Sequence, residues 1–235
     1  NFCRKASITK MGGYSYRKKE KYMKIKKNKP KIFGRGSVFI DDSVEFGENV
    51  VIYQNNIIKG DTKIGDNVVI KPNNYIENCT IGAGSVVDYS YMQDSVIGEN
   101  VSVGPFSRLR PNSRVGDNCK VGNFVEIKNS TLGKGSKASH LAYIGDTDLG
   151  DNCNVGCGAI FVNYNGKTKS RSHIGNNCFI GSNVNVIAPV NIASETYICA
   201  GTTVTTDTLP YDFVIGRSRE TVKHDYAKKY KKESK

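Results

Sequence analysis

The chain has 235 residues, room for one large or two small domains, and its 34 Lys+Arg against 22 Asp+Glu give a formal net charge of +12. Hydrophobic residues make up 38% without any Trp, enough for a buried core, and no run approaches the ~20 consecutive apolar residues of a membrane-spanning helix. The seven cysteines are odd in number and include no Cys-x-x-Cys pair, and no secretory leader precedes the body, so the reducing cytoplasm is the expected compartment.

Residues 1–31 hold 12 basic groups against the single acid Glu20. They read as a Lys-rich arm or linker ending near Pro30, a solvated charge run without a defined nucleic-acid motif. Residues 217–235 are also basic, 8 against 3, and the segment 218–235 reads as a short helix or a flexible tail. The body, residues 32–216, carries 14 basic groups against 18 acidic ones. Basic ends on a mildly acidic body argue against a basic groove in the folded domain, and nucleic acid is not the expected partner.

The body is written in sixes. Aliphatic or aromatic residues recur at Ile40, Phe46, Ile52, Ile58, Ile64, Ile70 and Ile76, again from Ile97 through Val103, Leu109, Val115 and Val121 to Ile127, and again from Ile174 through Ile180, Val186, Ile192 and Ile198 to Val204. Six matches neither the 3.6 of a helix nor a long alternating strand, but it suits a short strand, one inward side chain and a corner. Gly and Asn, 24 and 23 residues, supply the left-handed corners. Three such faces close an 18-residue triangular coil, and stacking coils at the ~4.8 Å strand spacing builds an all-β, parallel β-helix prism of about ten coils.

The period breaks in places. Ten residues separate Val87 from Ile97, and single residues drop out between Ile127 and Leu132 and between Ile144 and Leu149. Thirteen separate Phe161 from Ile174, so a loop, Asn163–His173, is expected to project from the prism and to carry function.

Charge inside the body is concentrated. Residues 108–171 contain ten basic groups, Arg110, Lys128 and Lys169 among them, against five acids. Such a cluster fits a small phosphorylated ligand, with Arg giving bidentate and Lys point-charge contacts, or an ordinary solvated face. His140 lies in the same stretch, where an imidazole can take up a proton near neutral pH. Cys119, Cys153 and Cys178 each follow an Asp-Asn or Asn-Asn pair and read as small packing residues, and nothing in the sequence marks Cys157 as an activated thiol.

Long ordered blocks then carry a resemblance. Gly104-Pro105-Phe106-Ser107-Arg108-Leu109-Arg110-Pro111, Val121-Gly122-Asn123-Phe124-Val125-Glu126, Ser139-His140-Leu141-Ala142-Tyr143-Ile144-Gly145-Asp146, Asn163-Tyr164-Asn165-Gly166 and Ala200-Gly201-Thr202-Thr203-Val204 lie within the matching region, residues 32–217. Together they resemble the acetyltransferase domain of the bacterial bifunctional N-acetylglucosamine-1-phosphate uridylyltransferase/glucosamine-1-phosphate acetyltransferase family. The resemblance implies a left-handed β-helix, an exception to the usual crossover hand, assembled as a homotrimer with active sites between subunits. It implies acetyl transfer from acetyl-CoA to the amine of glucosamine 1-phosphate, with neither a metal nor a cysteinyl intermediate. The product would feed UDP-N-acetylglucosamine and cell-wall synthesis.

Residue by residue, the resemblance makes Arg110, Lys128, Tyr143, Asn154 and Lys169 ligands of the sugar phosphate and His140 the general base. Asn163, Tyr164, Ser182, Ala200, Arg217 and the backbone at Cys157 fall on the acetyl-CoA side. Two departures stand out, Cys157 where the family usually has Ala and Asn165 where it has Asp. The glycine-rich nucleotidyltransferase signature is absent, so uridylyl transfer is not assigned to this chain. Other readings remain: a hexapeptide-repeat acyltransferase with a different acceptor, or a non-catalytic interaction module. A γ-type carbonic anhydrase needs three clustered histidines, and His140, His173 and His224 are 33 and 51 residues apart.

Overall fold

In the computed structural model, which describes residues 28–231, the chain is a left-handed parallel β-helix of about ten coils built from strands of mostly two or three residues. Apart from its last four residues, the basic arm 1–31 lies outside the described residues, as do residues 232–235. The expected tail segment contains a short 3-10 helix, Tyr226–Tyr230.

Three columns of inward side chains form the core, one per face. On the first, Ile32, Ile52, Ile70, Val87, Val103, Val121, Ala138, Val155, Ile180, Ile198 and Val214 lie in register from coil to coil. On the second, Ile40, Ile58, Ile76, Met92, Leu109, Ile127 and Ile144 do the same, and Phe161, Val186 and Val204 continue the column. The third runs from Phe46 and Ile64 to Leu149, Ile174 and Ile192. Each buried Ile or Leu removes apolar surface from water that is worth about 1.5–3 kcal/mol.

Backbone groups are satisfied between coils rather than within them: Phe39 N–H donates to Asn56 O at 2.8 Å, Ile57 N–H to Asn74 O at 2.9 Å, Tyr75 N–H to Ser90 O at 3.0 Å. A single coil therefore cannot stand alone, and stability is a nearest-neighbour property.

The breaks in the period resolve into shorter faces. Between Val87 and Ile97 the inward position is Met92, opposite Ile76 and Leu109, so the ten residues are two five-residue faces. Leaving out one residue removes it from a corner without moving the next side chain off the core. The projecting loop is also shorter than its sequence bounds, because Ser172–Ile174 is a strand of the third face and His173 belongs to it.

Asn occupies many left-handed corner positions, at φ 56° for Asn49, 58° for Asn67 and 64° for Asn73, and the exposed amides ladder, Asn49 Nδ2 donating to Asn67 Oδ1 at 3.2 Å. A buried ladder lies beside the second face. Asn56 Oδ1 accepts from Asn74 N–H at 2.8 Å and from Asn74 Nδ2 at 3.0 Å, and Asn74 Oδ1 accepts from Ser90 N–H at 2.7 Å. Replacing Asn74 by Ala orphans the Ser90 N–H of the following coil and takes one of two donors from Asn56 Oδ1 of the preceding one. Urea unfolding is expected to show a loss of about 1–3 kcal/mol, and an unchanged midpoint would refute the ladder's contribution.

Candidate active site

His140 stands at the corner between the first and second faces. It lies in the strand Lys137–Gly145, opposite Asn123 of the preceding coil, with its side chain exposed. The left-handed residue of this corner is Leu141 at φ 36°, followed in successive coils by Gly158 at 76°, Asn183 at 55° and Gly201 at 73°. The residues immediately before them, His140, Cys157, Ser182 and Ala200, therefore form one column. It is tied by Gly158 N–H to Leu141 O at 2.7 Å, Asn183 N–H to Cys157 O at 2.8 Å and Gly201 N–H to Ser182 O at 2.8 Å. Arg217 joins its far end, a guanidinium nitrogen donating to Ala200 O at 3.0 Å. Five residues drawn from distant stretches of sequence thus share one edge.

Below His140 the same corner carries a feature the sequence did not announce. Tyr89, Phe106 and Phe124 occupy left-handed positions, at φ 43°, 60° and 57°, where Asn or Gly is the low-cost choice. Tyr89 and Phe106 have ring centroids 4.8 Å apart, and Phe106 and Phe124 stack at 5.5 Å. The ridge is solvent-facing, Phe124 being 62% and Leu141 57% exposed. Bulky side chains in a strained backbone region with little burial have no use in the prism itself.

The cationic residues lie along the opposite edge of the second face. An Arg110 guanidinium nitrogen sits 2.9 Å from Glu126 Oε1, and Lys128 Nζ lies 3.0 and 3.2 Å from the two carboxylate oxygens of Asp146. Tyr143 is between the edges, its ring folded over Gly145. A Cβ at Gly145 would fall 2.6 Å from that ring, so a side chain at this position would displace Tyr143. Asn154 faces outward on the first face, opposite Lys137 and Phe179.

The loop projects from the corner between the second and third faces. Tyr164 and Lys169 bridge antiparallel across a turn. Asn165 Oδ1 caps that turn, accepting from Lys167 and Thr168 N–H at 2.9 and 2.8 Å. A carboxylate oxygen would accept the same bonds, and the amide adds one to Thr168 Oγ1 at 3.1 Å. Asn in place of Asp is thus accommodated. Arg171 is occupied structurally, bonding Asp148 at 2.6 Å and Asn129 O at 2.7 Å. Asn163 is buried at the loop's foot, its amide on Asp146. Asn163 and Tyr164 therefore lie away from the His140 column with which the resemblance groups them.

Asp146, which sequence reasoning passed over, is the centre of this edge. It is 6% exposed. Burial pushes its carboxyl upward, but hydrogen bonds from Asn129, Lys128 and Asn163 outweigh this and hold it below the ordinary 3.8. The stability it contributes is therefore present above that value and is lost as pH falls through and below it.

The thiols divide sharply. Among the described residues, Cys157 is the exposed one, while Cys79, Cys119, Cys153, Cys178 and Cys199 are buried. Burial pushes Cys79 up to about 11. His140 and His173 stand on different parts of the prism, the corner between the first two faces and the third face, so they cannot share a zinc centre in one chain.

Comparison with known proteins agrees with this architecture. The repeats match the family described as bacterial transferase hexapeptide (six repeats) over residues 43–78, 94–129 and 171–206. The fold resembles that of an Arabidopsis UDP-N-acetylglucosamine acyltransferase, with a TM-score of 0.52 and 16% identity over 74% of this chain and 68% of that one. The chain thus carries the repeats of the bacterial hexapeptide transferase class. Within that class it is similar to the bifunctional protein GlmU of Geobacillus sp. (strain WCH70), 44% identical over 188 residues, or 80% of this chain and 41% of the relative. The GlmU protein of Clostridium kluyveri is 41% identical over 201 residues, 86% of this chain and 44% of the relative. The resemblance read from the motifs holds, and the chain spans about two fifths of the length of these curated relatives. Among the described residues no helix is long and apolar enough to cross a membrane.

Proposed function

We propose that the chain transfers the acetyl group of acetyl-CoA to the amine of glucosamine 1-phosphate, giving N-acetylglucosamine 1-phosphate for UDP-N-acetylglucosamine synthesis in the cytoplasm. The observation that carries this reading is the alignment of His140 with Cys157, Ser182, Ala200 and Arg217 on one edge, with Arg110, Lys128 and Lys169 gathered at the opposite edge of the same face. The first edge offers a base beside a run of small residues and backbone groups suited to a thioester. The second offers cations suited to a phosphate.

In the reaction, an imidazole nitrogen of His140 takes a proton from the attacking amine as its nitrogen bonds to the thioester carbonyl carbon. A backbone N–H stabilises the oxyanion. Collapse breaks the carbon–sulfur bond, and the proton held by His140 passes to the departing thiolate of CoA. Cys157 forms no bond to the acetyl group.

The site is shared between copies of a homotrimer. Asn154 points out from the first face, whereas Lys128 lies at the far edge of the second. The outward normals of two faces of a triangular prism diverge by about 120°, so no small sugar phosphate touches both in one chain. The exposed Tyr89, Phe106, Phe124 and Leu141 ridge beside His140 gives a second copy an apolar surface to cover. An acceptor without an anionic group would not need the cations Arg110, Lys128 and Lys169.

Thiol release from acetyl-CoA, followed with glucosamine 1-phosphate, glucosamine 6-phosphate and glucosamine as acceptors, tests the assignment. Turnover is expected with the 1-phosphate in preference to the others. No thiol release with either sugar phosphate would overturn it.

A further inference from the structure

Asp146 holds both feet of the projecting loop and one of the phosphate-side cations at once. Its carboxylate accepts from Asn163, the first residue of the loop, and its backbone carbonyl accepts from the N–H of Ser172, the first residue after it, at 3.1 Å. The same carboxylate lies 3.0 Å from Lys128 Nζ and takes a 2.6 Å bond from Asn129 Nδ2. Elsewhere on this corner the equivalent side chains do less: Asp94 accepts one bond, from Asn78, at 3.0 Å. Ser172 Oγ, buried at the loop's foot, has no hydrogen-bond partner.

We propose that Asp146 is a positioning residue that couples the two substrate sites, passing the capture of Lys128 by the sugar phosphate to the loop that carries Asn163 and Tyr164. This rests on the reading above, in which Lys128 meets the phosphate, and on the family resemblance, which puts Asn163 and Tyr164 of the loop on the acetyl-CoA side of a neighbouring copy. Lys128 Nζ cannot keep both carboxylate oxygens and also turn fully to a phosphate. When it turns, the buried carboxylate loses its charged donor and depends on Asn129 and Asn163 for what remains of its solvation. Those bonds strengthen, the loop's feet are fixed, and CoA then pays less ordering entropy on binding. By linkage, CoA favours the sugar phosphate by the same factor.

Unacetylated CoA with glucosamine 1-phosphate cannot react, so the ternary complex can be titrated calorimetrically. In the unmodified protein, saturating glucosamine 1-phosphate is expected to lower the Kd of CoA about three- to tenfold. In Asp146→Asn the ratio of the two Kd values should fall to about one. Asn163→Ala, which cuts the link on the loop side and leaves the Lys128 ion pair in place, should lose the coupling in the same way and serves if Asp146→Asn does not fold. A purely structural Asp146 would weaken both ligands and leave the ratio unchanged. Coupling that persists in the variants, or is absent from the unmodified protein while both ligands bind, overturns the proposal. Glucosamine 1-phosphate that gives no binding heat at all would overturn the acceptor assignment, and the coupling with it.

Discussion

Replacing His140 by Ala is expected to lower kcat for acetyl transfer by about 10²–10⁴-fold, the range that a positioned general base contributes, while the KM values of both substrates change little. The reason is geometric. The imidazole projects from a corner into solvent at the end of the Cys157, Ser182, Ala200 and Arg217 column, so its removal touches neither the core nor the cations of the opposite edge. Thermal unfolding should be unaltered for the same reason. Steady-state kinetics with thiol detection check the first part and a melting curve the second. A KM effect without a kcat effect would make His140 a binding residue, and loss of folding would mean that the corner depends on it.

The second large effect concerns stability. Phe161 is 1% exposed and is among the largest fully buried side chains of the prism. It sits in the second-face column, with Val186 as its register partner in the following coil, two residues before Asn163. Phe161→Ala should cost about 3–5 kcal/mol, from lost transfer energy and an incompletely collapsed cavity. Because neighbouring coils hold each other up, the loss should also loosen the loop's foot. Urea titration measures the first. Earlier protease cleavage within 163–171 than in the unmodified protein would report the second, and a midpoint shift no larger than that of an exposed substitution would contradict both.

Most of the prism was legible because its grammar is local. An Ile-Gly-Asp-Asn run such as Ile64-Gly65-Asp66-Asn67 encodes an inward side chain, a close approach and a left-handed corner at Asn67. Gly65 shows why the pattern is strict, since a Cβ there would lie 2.8 Å from the backbone nitrogen of Ala83 in the next coil. Met92 escaped the reading because it is neither branched nor six residues from a neighbouring anchor. Asp146 escaped for a related reason. It follows Ile144-Gly145 just as Asp66 follows Ile64-Gly65, but the five-residue face drops one residue and moves the Asp itself into the left-handed position, at φ 47°. Its side chain then turns inward to Lys128 and Asn163.

For the site, the basic cluster and His140 could be found from charge and residue type, and their roles came with the resemblance. Their separation onto two edges could not be found that way. It depends on the register that aligns Leu141 with Gly158, Asn183 and Gly201, residues of three different kinds whose common feature is a positive φ. Nor could sequence tell that Arg171 is spent on Asp148 and Asn129, since its charge counts equally whether it holds a loop or a phosphate. The aromatic ridge was hidden because Phe106 and Phe124 stand where Asn or Gly is the usual corner residue, and only the backbone shows them in left-handed positions facing solvent.

The account turns on a catalytic base and a phosphate-binding edge that different copies bring together. Co-expressing two inactive forms, His140→Ala and Lys128→Met, under separate tags measures this directly. Each form alone should turn over glucosamine 1-phosphate poorly, and the purified mixed trimer should recover about a third of the unmodified rate per chain, since one of its three interfaces has both intact halves. A mixed assembly as inactive as its parents would mean that His140 and Lys128 act within one chain, and the shared site would be wrong.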